Sequence, residues 1–358
     1  MLRNLSPQLM FEKIAQEHKP SCRFNATRQR FAQWKQSTRT KVLATLGDFP
    51  PRVPLNPELV AEFEHDGLFK QRWMIDVGPH ISATFLINRP AGIKRGEKRP
   101  AILCWHGHGA FGKAPVMGDD SSPGKRESIK QHNYNYGHQM AKAGFITYAI
   151  DWFGCGDRSD FTKPNAIRQQ TGRDWCNLYY LHATMLGMTS LSIHLAHGMA
   201  ATDFACTFPF VDQARLGVMG LSGGGTMTTW TALYDPRMKA AEIICYSDLF
   251  ACFGIRDFNY CGMQVAPGLF KLVDLPDLQG LLAPKPLLID IGAYDTCFLV
   301  DTAMACFRQL KKIYRAAGAA DRLVLDLFPG EHGWGGNKSV DFFNRYLRAN
   351  VQVGGSKI

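Results

Sequence analysis

Apolar runs that alternate with stretches of helical spacing recur along this chain and constrain its fold more than any other feature. The runs cover residues 101–106, 145–151, 215–221, 241–246, 286–292 and 322–327. Helices are predicted between and after them, at residues 127–143, 187–204, 226–234, 302–315 and 340–347. This alternation predicts an α/β fold with a mostly parallel central sheet and helices on both faces. Two earlier runs, 72–77 and 81–87, predict an antiparallel hairpin at the sheet edge.

The pentapeptide Gly-Leu-Ser-Gly-Gly, at residues 220–224, lies directly between one of these strands and a helix. In that context the serine of a G-x-S-x-G pattern is an exposed nucleophile. The turn would hold Ser222 in a strained conformation, and side chains at Gly220 or Gly224 would collide with a neighbouring strand or helix. The pattern alone is weak, because chance supplies it in roughly one chain of this length in ten. A glycine-rich helix start is the alternative.

A serine nucleophile needs a histidine base and a carboxylate that orients the histidine. The partners of an elbow serine follow it in the order acid, then histidine. Ten of the eleven histidines precede Ser222, and only His332 follows it. His332 lies in a glycine-flanked loop after the strand run 322–327, so it is the predicted base. The alternative is a surface histidine in a turn.

The acid should lie between Ser222 and His332, at the end of a strand. Asp295 follows the run 286–292 and is the preferred candidate. Asp290 lies inside that run, and Asp301 is predicted at a helix start, where a carboxylate is favourable in any case. Asp248 is the serious rival, because a triad acid can also follow the preceding strand.

Donors for an oxyanion are predicted in the tract His106-Gly107-His108-Gly109, which follows an early strand. Such a loop usually supplies one N–H, and the residue after the nucleophile supplies the other. The predicted donors are therefore the backbone N–H groups of His108 and Gly223. The two histidines have no nearby Cys or Glu at ligand spacing, so neither a metal nor another cofactor is predicted.

These motifs together resemble the α/β-hydrolase superfamily, and more closely its bacterial acetyl-xylan-esterase-like or dienelactone-hydrolase-like branch. The resemblance covers about residues 55–350 and rests on WHGHG, DWFGCGDR, GLSGGGTM, NYCG, APKPLLI and the stretch from IYRAAGAADR to GEHGW. It implies the α/β-hydrolase fold and a Ser-Asp-His hydrolase of carboxylic esters, with some relatives resembling glycan deacetylases. Two features depart from the pattern: dienelactone hydrolases carry cysteine where Ser222 stands, and QVAPGL differs from the expected lid segment.

The leading interpretation is thus a serine hydrolase that forms an acyl-enzyme from carboxylic esters, with carbohydrate esters as candidate substrates. A lactone hydrolase and a peptidase of the prolyl-oligopeptidase type are alternatives. The peptidase would need a gating domain, which the short segment ahead of residue 50 does not provide. A noncatalytic binding protein of the same fold is a further alternative, and the presence of Ser222, Asp295 and His332 counts against it.

The chain is expected to divide into a helical extension with a linker, residues 1–54, a hydrolase domain, residues 55–350, and a tail, residues 351–358. Lid insertions are predicted at about residues 154–186 and 248–282. Their aromatic residues would bind sugars or acyl chains, or would pack in the core or at a subunit interface. They are Trp175, Tyr179, Tyr180, Phe250, Phe253, Phe258, Tyr260 and Phe270. Asp157 and Arg158 are predicted to form a structural ion pair beneath these lid insertions.

Charge and cysteine patterns exclude several classes of partner. The net charge is +10, but its lysines and arginines are dispersed, so no nucleic acid is predicted. The ten cysteines are scattered without a C-x-x-C pair, which favours free thiols in a reducing cytoplasm. Neither a secretory signal nor an apolar run of ~20 residues is evident, so no membrane association is predicted. The expected partner is a small-molecule or glycan ester, and a homo-oligomer is compatible with the sequence.

Overall fold

The computed structural model describes residues 3–25, 30–160 and 175–348. Its strands form one sheet in the order β1-β2-β3-β5-β4-β6-β7-β8-β9. They are β1 (Glu58–His65), β2 (Leu68–Gly78), β3 (Ile81–Pro90), β4 (Arg99–Trp105), β5 (Ile146–Ile150), β6 (Val211–Leu221), β7 (Met238–Ile244), β8 (Leu287–Gly292) and β9 (Leu323–Phe328). The mostly parallel sheet predicted from the alternating runs is confirmed.

The sheet has an antiparallel edge and a parallel body. Strands β5, β4, β6, β7, β8 and β9 pair in parallel, whereas β1, β2, β3 and β5 pair antiparallel in that order. The predicted hairpin is β2 and β3. Strand β1 was not predicted, because every residue from Glu58 to His65 is exposed and no buried face marks the segment. The carboxyl ends of the parallel strands all meet at one edge of the sheet.

Helices connect and cover the strands. The α-helices are Pro7–Glu17, Phe31–Ala44, Lys113–Val116, Pro123–His132, Tyr136–Lys142, Trp175–Met185, Ser190–Ala205, Gly223–Tyr234, Leu269–Leu272, Leu275–Gly280, Val300–Ala316 and Ser339–Phe343. Short 3₁₀ turns cover Gly156–Arg158, Gly262–Gln264 and Ala320–Arg322, and π-helices cover Phe250–Arg256 and Asn344–Arg348. The single helix predicted over residues 127–143 is wrong. It is two helices, because Asn133 adopts a left-handed conformation (φ 47°) and ends the first one.

The core lies on both faces of the sheet. Alternate residues of β4 belong to two separate hydrophobic clusters, with Leu103 in one and Ile102 in the other. The first cluster includes residues of the helices Ser190–Ala205, Gly223–Tyr234 and Val300–Ala316. The second includes Tyr136 and Phe342. Because both faces are covered, the parallel strands are largely apolar, as is typical of such sheets, although β7, β8 and β9 each bury one carboxylate, that of Glu242, Asp290 and Asp326 respectively.

The segment ahead of β1 contributes to the first cluster. Trp34 and Val42, on the helix Phe31–Ala44, are buried there. The same segment bonds to distant backbone, since the N–H of Ser21 donates to Lys271 O at 2.9 Å and that of Cys22 to Leu272 O at 2.7 Å. The predicted helices of the extension are therefore present and packed. Its boundary at residue 54 stays a prediction.

The two predicted lid insertions differ in how far the structure describes them. Residues 161–174 of the first insertion, and the predicted tail 351–358, lie outside the described residues. The described part of the first insertion includes the helix Trp175–Met185. The second insertion is described throughout, and its Phe250 and Phe253 belong to the hydrophobic core. Core packing is thus the structural role of these two aromatic residues.

The predicted ion pair between Asp157 and Arg158 is wrong. Asp157 pairs instead with Lys113 Nζ at 2.8 Å and Arg72 at 3.2 Å. Arg158 donates to the carbonyl oxygen of Asp151 at 3.0 Å. The two residues are consecutive in a 3₁₀ turn, so their side chains project in different directions and reach different partners.

The ten cysteines all lie within the described residues, and none of them forms a disulfide bond there, as predicted. Six of them are buried, which agrees with their positions in apolar runs. Within the described ranges, no helix is both long enough and apolar enough to cross a bilayer.

Candidate active site

Ser222 occupies a sharp turn at the carboxyl end of the central strand β6. The strand ends at Leu221 and the following helix begins at Gly223, so Ser222 is the only residue between them. Its backbone has φ 60° and ψ −119°, a conformation that costs a non-glycine residue energy. Its N–H donates to Ile244 O at 2.9 Å, at the end of the neighbouring strand β7. The hydrogen bond holds the strained turn, which presents the hydroxyl at the sheet edge.

Glycine is required around Ser222 because other segments of the chain approach these positions closely. A Cβ at Gly220 would lie 2.6 Å from Trp105 O, and a Cβ at Gly224 would overlap the same oxygen. A Cβ at Gly223 would overlap the indole ring of Trp152. The helix after the serine therefore packs directly on the end of β4. The close contacts at Gly220 and Gly224 are those that the elbow pattern predicts.

His332 and Asp295 meet on the loops that follow β9 and β8. His332 Nδ1 lies 2.8 Å from Asp295 Oδ2. The other carboxylate oxygen of Asp295 accepts the N–H groups of Cys297 at 2.7 Å and Phe298 at 3.0 Å. Burial would raise the pKa of Asp295, but His332 and the two amides outweigh it and lower the pKa. An ionised Asp295 fixes the proton on Nδ1 and leaves Nε2 of His332 as the acceptor.

Backbone contacts lock this pair of loops together. Tyr294 N–H donates to Gly330 O at 2.9 Å, and Ala293 N–H donates to Phe328 O at 2.9 Å. On the other side, His132 Nδ1 lies 2.6 Å from the carbonyl oxygen of His332. Asp295, His132 and Phe298 thus all contact His332. The rings of His332 and Phe298 stack at an interplanar angle of 15°.

The other aspartates considered do not contact His332. Asp248 accepts Thr302 Oγ1–H at 2.6 Å and the N–H of Leu249 at 2.6 Å. Burial raises the pKa of Asp248 to about 6. Asp290 is buried within β8, and Asp301 lies in the first turn of the helix Val300–Ala316, as expected from the sequence. The geometry therefore favours Asp295 as the partner of His332.

Ser222 and His332 open on one cavity of about 620 Å³. Asp295 is buried behind His332. His108 lines the same cavity, and so do Phe258 and Tyr260 of the second predicted insertion. The structure thus collects the predicted nucleophile, base and acid at the carboxyl edge of the sheet, where open α/β sheets bind ligands.

Both proposed oxyanion donors are available. Within the described ranges, the N–H groups of His108 and Gly223 have no hydrogen-bond acceptor. The preceding N–H, that of Gly107, is occupied, because it donates to Tyr134 Oη at 2.6 Å. Tyr134 therefore occupies the N–H of Gly107, and the next N–H, that of His108, has no acceptor among the described residues.

The two histidines of the glycine tract have different environments. His106 is fully buried, and burial lowers its pKa to about 4. It accepts the indole N–H of Trp152 at 2.7 Å. His108 is exposed, and its Nε2 lies 3.1 Å from Cys261 Sγ. The pair therefore does not form a shared metal site, although His108 has a sulfur neighbour that spacing along the chain does not reveal.

A buried charge network that no sequence motif indicates supports the loop after β4. Lys113 is 1% exposed, and its Nζ lies 2.6 Å from Asp151 Oδ2. The same carboxylate accepts the backbone N–H of Lys113 at 2.8 Å. Gly156 N–H donates to Ala110 O at 3.2 Å and joins the loops after β4 and β5. These residues are far apart in the sequence, and no motif spacing pairs them.

Comparison with known proteins agrees with this architecture. The sequence profile of a family described as the Abhydrolase family matches residues 2–323. YtaP of Bacillus subtilis (strain 168), a protein named as a hydrolase, is 24% identical in an alignment of 289 residues that covers 79% of this chain and 89% of YtaP.

Two solved structures illustrate the shared fold. A Bacteroides fragilis NCTC 9343 protein named as an acetyl xylan esterase has a TM-score of 0.71 at 20% identity and covers 91% of this chain and 83% of its own. A glucuronoyl esterase from Solibacter usitatus has a TM-score of 0.64 at 15% identity, over 87% of this chain and 93% of its own.

Proposed function

The chain belongs to the Abhydrolase family, and from this premise we propose that it is a serine hydrolase that cleaves carboxylic esters through an acyl-enzyme. One observation carries the proposal: the strained Ser222 and the hydrogen-bonded pair of His332 and Asp295 converge on one cavity. A hydrolase name for YtaP, and esterase names for the similar solved structures, support the same chemistry.

In the proposed reaction, Ser222 Oγ attacks the ester carbonyl carbon while Nε2 of His332 takes the hydroxyl proton. Asp295 holds the His332 ring and stabilises the positive charge that forms on it. The N–H groups of His108 and Gly223 donate to the oxyanion, and each such donor lowers the barrier by roughly 3 kcal/mol. His332 then gives the proton to the leaving alcohol, and water releases the acid from Ser222 by the same two steps.

We propose carbohydrate esters, with acetyl esters first, as the substrate class. The cavity combines the aromatic side chains of Phe111, Phe258 and Tyr260 with polar ones, including those of Asn177 and Asn259. Sugars bind by stacking on aromatic rings and by hydrogen bonding to amides, so this lining suits a glycan better than a long acyl chain. The names of the similar solved structures point the same way.

A fluorophosphonate probe and a chromogenic acetyl ester test the chemistry. Wild-type protein should be labelled once, on Ser222, and should show a burst with p-nitrophenyl acetate. Ser222→Ala should lose labelling and more than about 10⁴-fold of turnover. Ser128→Ala is the matched control, because Ser128 also lines the cavity, and it should keep the label. Labelling of the Ser222→Ala variant at wild-type rate would contradict the proposal.

A substrate panel tests the class. Acetylated xylo-oligosaccharides, methyl uronates, butyryl and longer acyl esters, lactones and prolyl peptides should be compared by kcat/KM. The acetylated carbohydrate should be the best of them. Faster cleavage of the peptide or the lactone would replace the carbohydrate ester by that substrate class while leaving the nucleophile in place.

A further inference from the structure

Two thiols and an imidazole meet beside the cavity, although none of the three was predicted to be near the others. They belong to His108, Cys176 and Cys261, and their donor atoms all lie within 4.8 Å of one another. His108 Nε2 is 3.1 Å from Cys261 Sγ. The residues come from the loop after β4, from the helix Trp175–Met185, and from the loop before the turn Gly262–Gln264.

The spacing of these atoms is close to that of ligands around one tetrahedral cation. Zn–S bonds of about 2.3 Å and Zn–N bonds of about 2.0 Å place the donor atoms of two ligands roughly 3.6–3.8 Å apart. Shifts of about 1 Å or less would therefore convert the cluster into a coordination shell. Two sulfurs and an imidazole nitrogen are soft ligands that select zinc and similar cations over Mg²⁺ or Ca²⁺.

The cluster has an open side. His108 and Cys261 line the cavity, whereas Cys176 is buried behind them. Three ligands from the protein would thus leave a fourth position facing the cavity, where water or an added ligand fits. We propose that His108, Cys176 and Cys261 bind one thiophilic divalent cation, with Zn²⁺ as the representative, at the wall of the cavity. The proposed chemistry of Ser222 does not involve this cation.

The surrounding contacts fix the relative positions of the ligands. Asn177, the residue after Cys176, accepts the N–H of Gly262 at 2.8 Å, so the helix Trp175–Met185 is tied to the residue after Cys261. The N–H of Cys261 donates to Gln264 Oε1 at 3.2 Å, and Gln264 Nε2 donates to Thr226 Oγ1 at 2.8 Å on the helix behind Ser222. The cluster is therefore partly preorganised, which lowers the cost of ordering the ligands around a cation.

Zinc titration of the full-length, reduced, metal-free protein tests the site. Competition with a chromogenic chelator should give one tightly bound Zn²⁺ per chain. Cys261→Ser and Cys176→Ser should each weaken binding by about 100-fold or more, because even partners outside the coordination shell contribute ~10–100-fold. Cys206→Ser is the matched control, since Cys206 is half-buried outside the cluster, and it should bind as the wild type does.

Cobalt provides a readout that is independent of activity. Co²⁺ in the wild type should show thiolate charge-transfer absorption and the intense d–d bands of a tetrahedral site, and both should vanish in Cys261→Ser. Circular dichroism of the metal-free variants checks folding. If Cys176→Ser is unfolded, the half-buried Cys261→Ser decides alone. Zinc binding that is equally strong in Cys261→Ser and the wild type, or cobalt spectra without thiolate bands, would overturn the proposal, whatever the outcome at Ser222.

Discussion

The loops after β7 and β8 each carry a buried aspartate, yet the two carboxylates have opposite electrostatic environments. Asp248 is 0% exposed and Asp295 is 4% exposed, so burial alone does not separate them. Burial raises the pKa of Asp248 to about 6, and its hydroxyl and amide donors only moderate the rise. For Asp295 the effect of burial is exceeded by His332 and two backbone amides, so its pKa is lowered. Hydrogen-bond partners, and not position at a strand end, distinguish a candidate catalytic acid from a structural one.

Asparagine at each position should reveal the largest difference between the two loops. We expect Asp295→Asn to lower kcat for an acetyl ester by about 10⁴-fold, because an amide can hold the wrong histidine tautomer. Asp248→Asn should lower kcat by less than about 10-fold, since Asp248 does not contact His332. Steady-state kinetics at pH 8 measures both. A greater loss in Asp248→Asn than in Asp295→Asn would reverse the assignment of the acid.

The pH dependence of the free energy of unfolding should depend more on Asp248 than on Asp295. The pKa of Asp248 is about 6 in the folded chain. It is about 3.9 in an unfolded chain, so the folded state binds the proton more tightly. This stabilisation is complete below about pH 4 and is lost as the pH rises to about 6, by about 2–3 kcal/mol. Asp248→Asn does not titrate, so its free energy of unfolding should fall less between pH 4 and 7. Urea denaturation measures it, and parallel curves for variant and wild type would refute the buried-carboxylate interpretation.

A smaller effect of opposite sign is expected from Asp295 in acid. Its pKa is lowered in the folded state, so its contribution to stability is present above the unfolded pKa and is lost as the pH falls through the folded value. Asp295→Asn should therefore lose less stability than the wild type on going from pH 5 to pH 3. Thermal unfolding at these pH values gives the comparison. A wild type that is no more acid-sensitive than the variant would mean that folding does not lower the pKa of Asp295.

The features predicted from the sequence are those set by local patterns. The strand runs, the elbow at Ser222 and the order of acid and histidine depend on segments of a few residues, and the structure brings these residues together. Strand β1 was missed because its residues are exposed on both faces, which leaves no alternation to detect. The helix break at Asn133 depends on one left-handed residue within an otherwise helical pattern.

Other parts of the site depend on contacts between distant segments. The pairing of Asp157 with Lys113 instead of Arg158 follows from how two loops fold over one another. Lys113 and Asp151 are 38 residues apart, and nothing in either local sequence indicates a buried pair. The approach of His108 to Cys261 likewise joins positions 153 apart. Such contacts depend on the order of the strands in the sheet. The pattern of apolar runs restricts that order but does not specify the path of each loop.

The hydrogen bonds of the N-terminal segment have a consequence for the synthesis of this chain. Gln8 bonds to Ile255, Phe24 to Asp277 and Lys35 to Ala283, at separations of 247, 253 and 248 residues. At roughly 5–20 residues per second, a ribosome needs roughly 12–50 seconds to produce the partners of residues it has already released. During that interval Trp34 lacks the part of its hydrophobic cluster that Leu269, Val273 and Leu275 supply. The helices Pro7–Glu17 and Phe31–Ala44 therefore leave the ribosome before these partners exist, and chaperones have time to bind them.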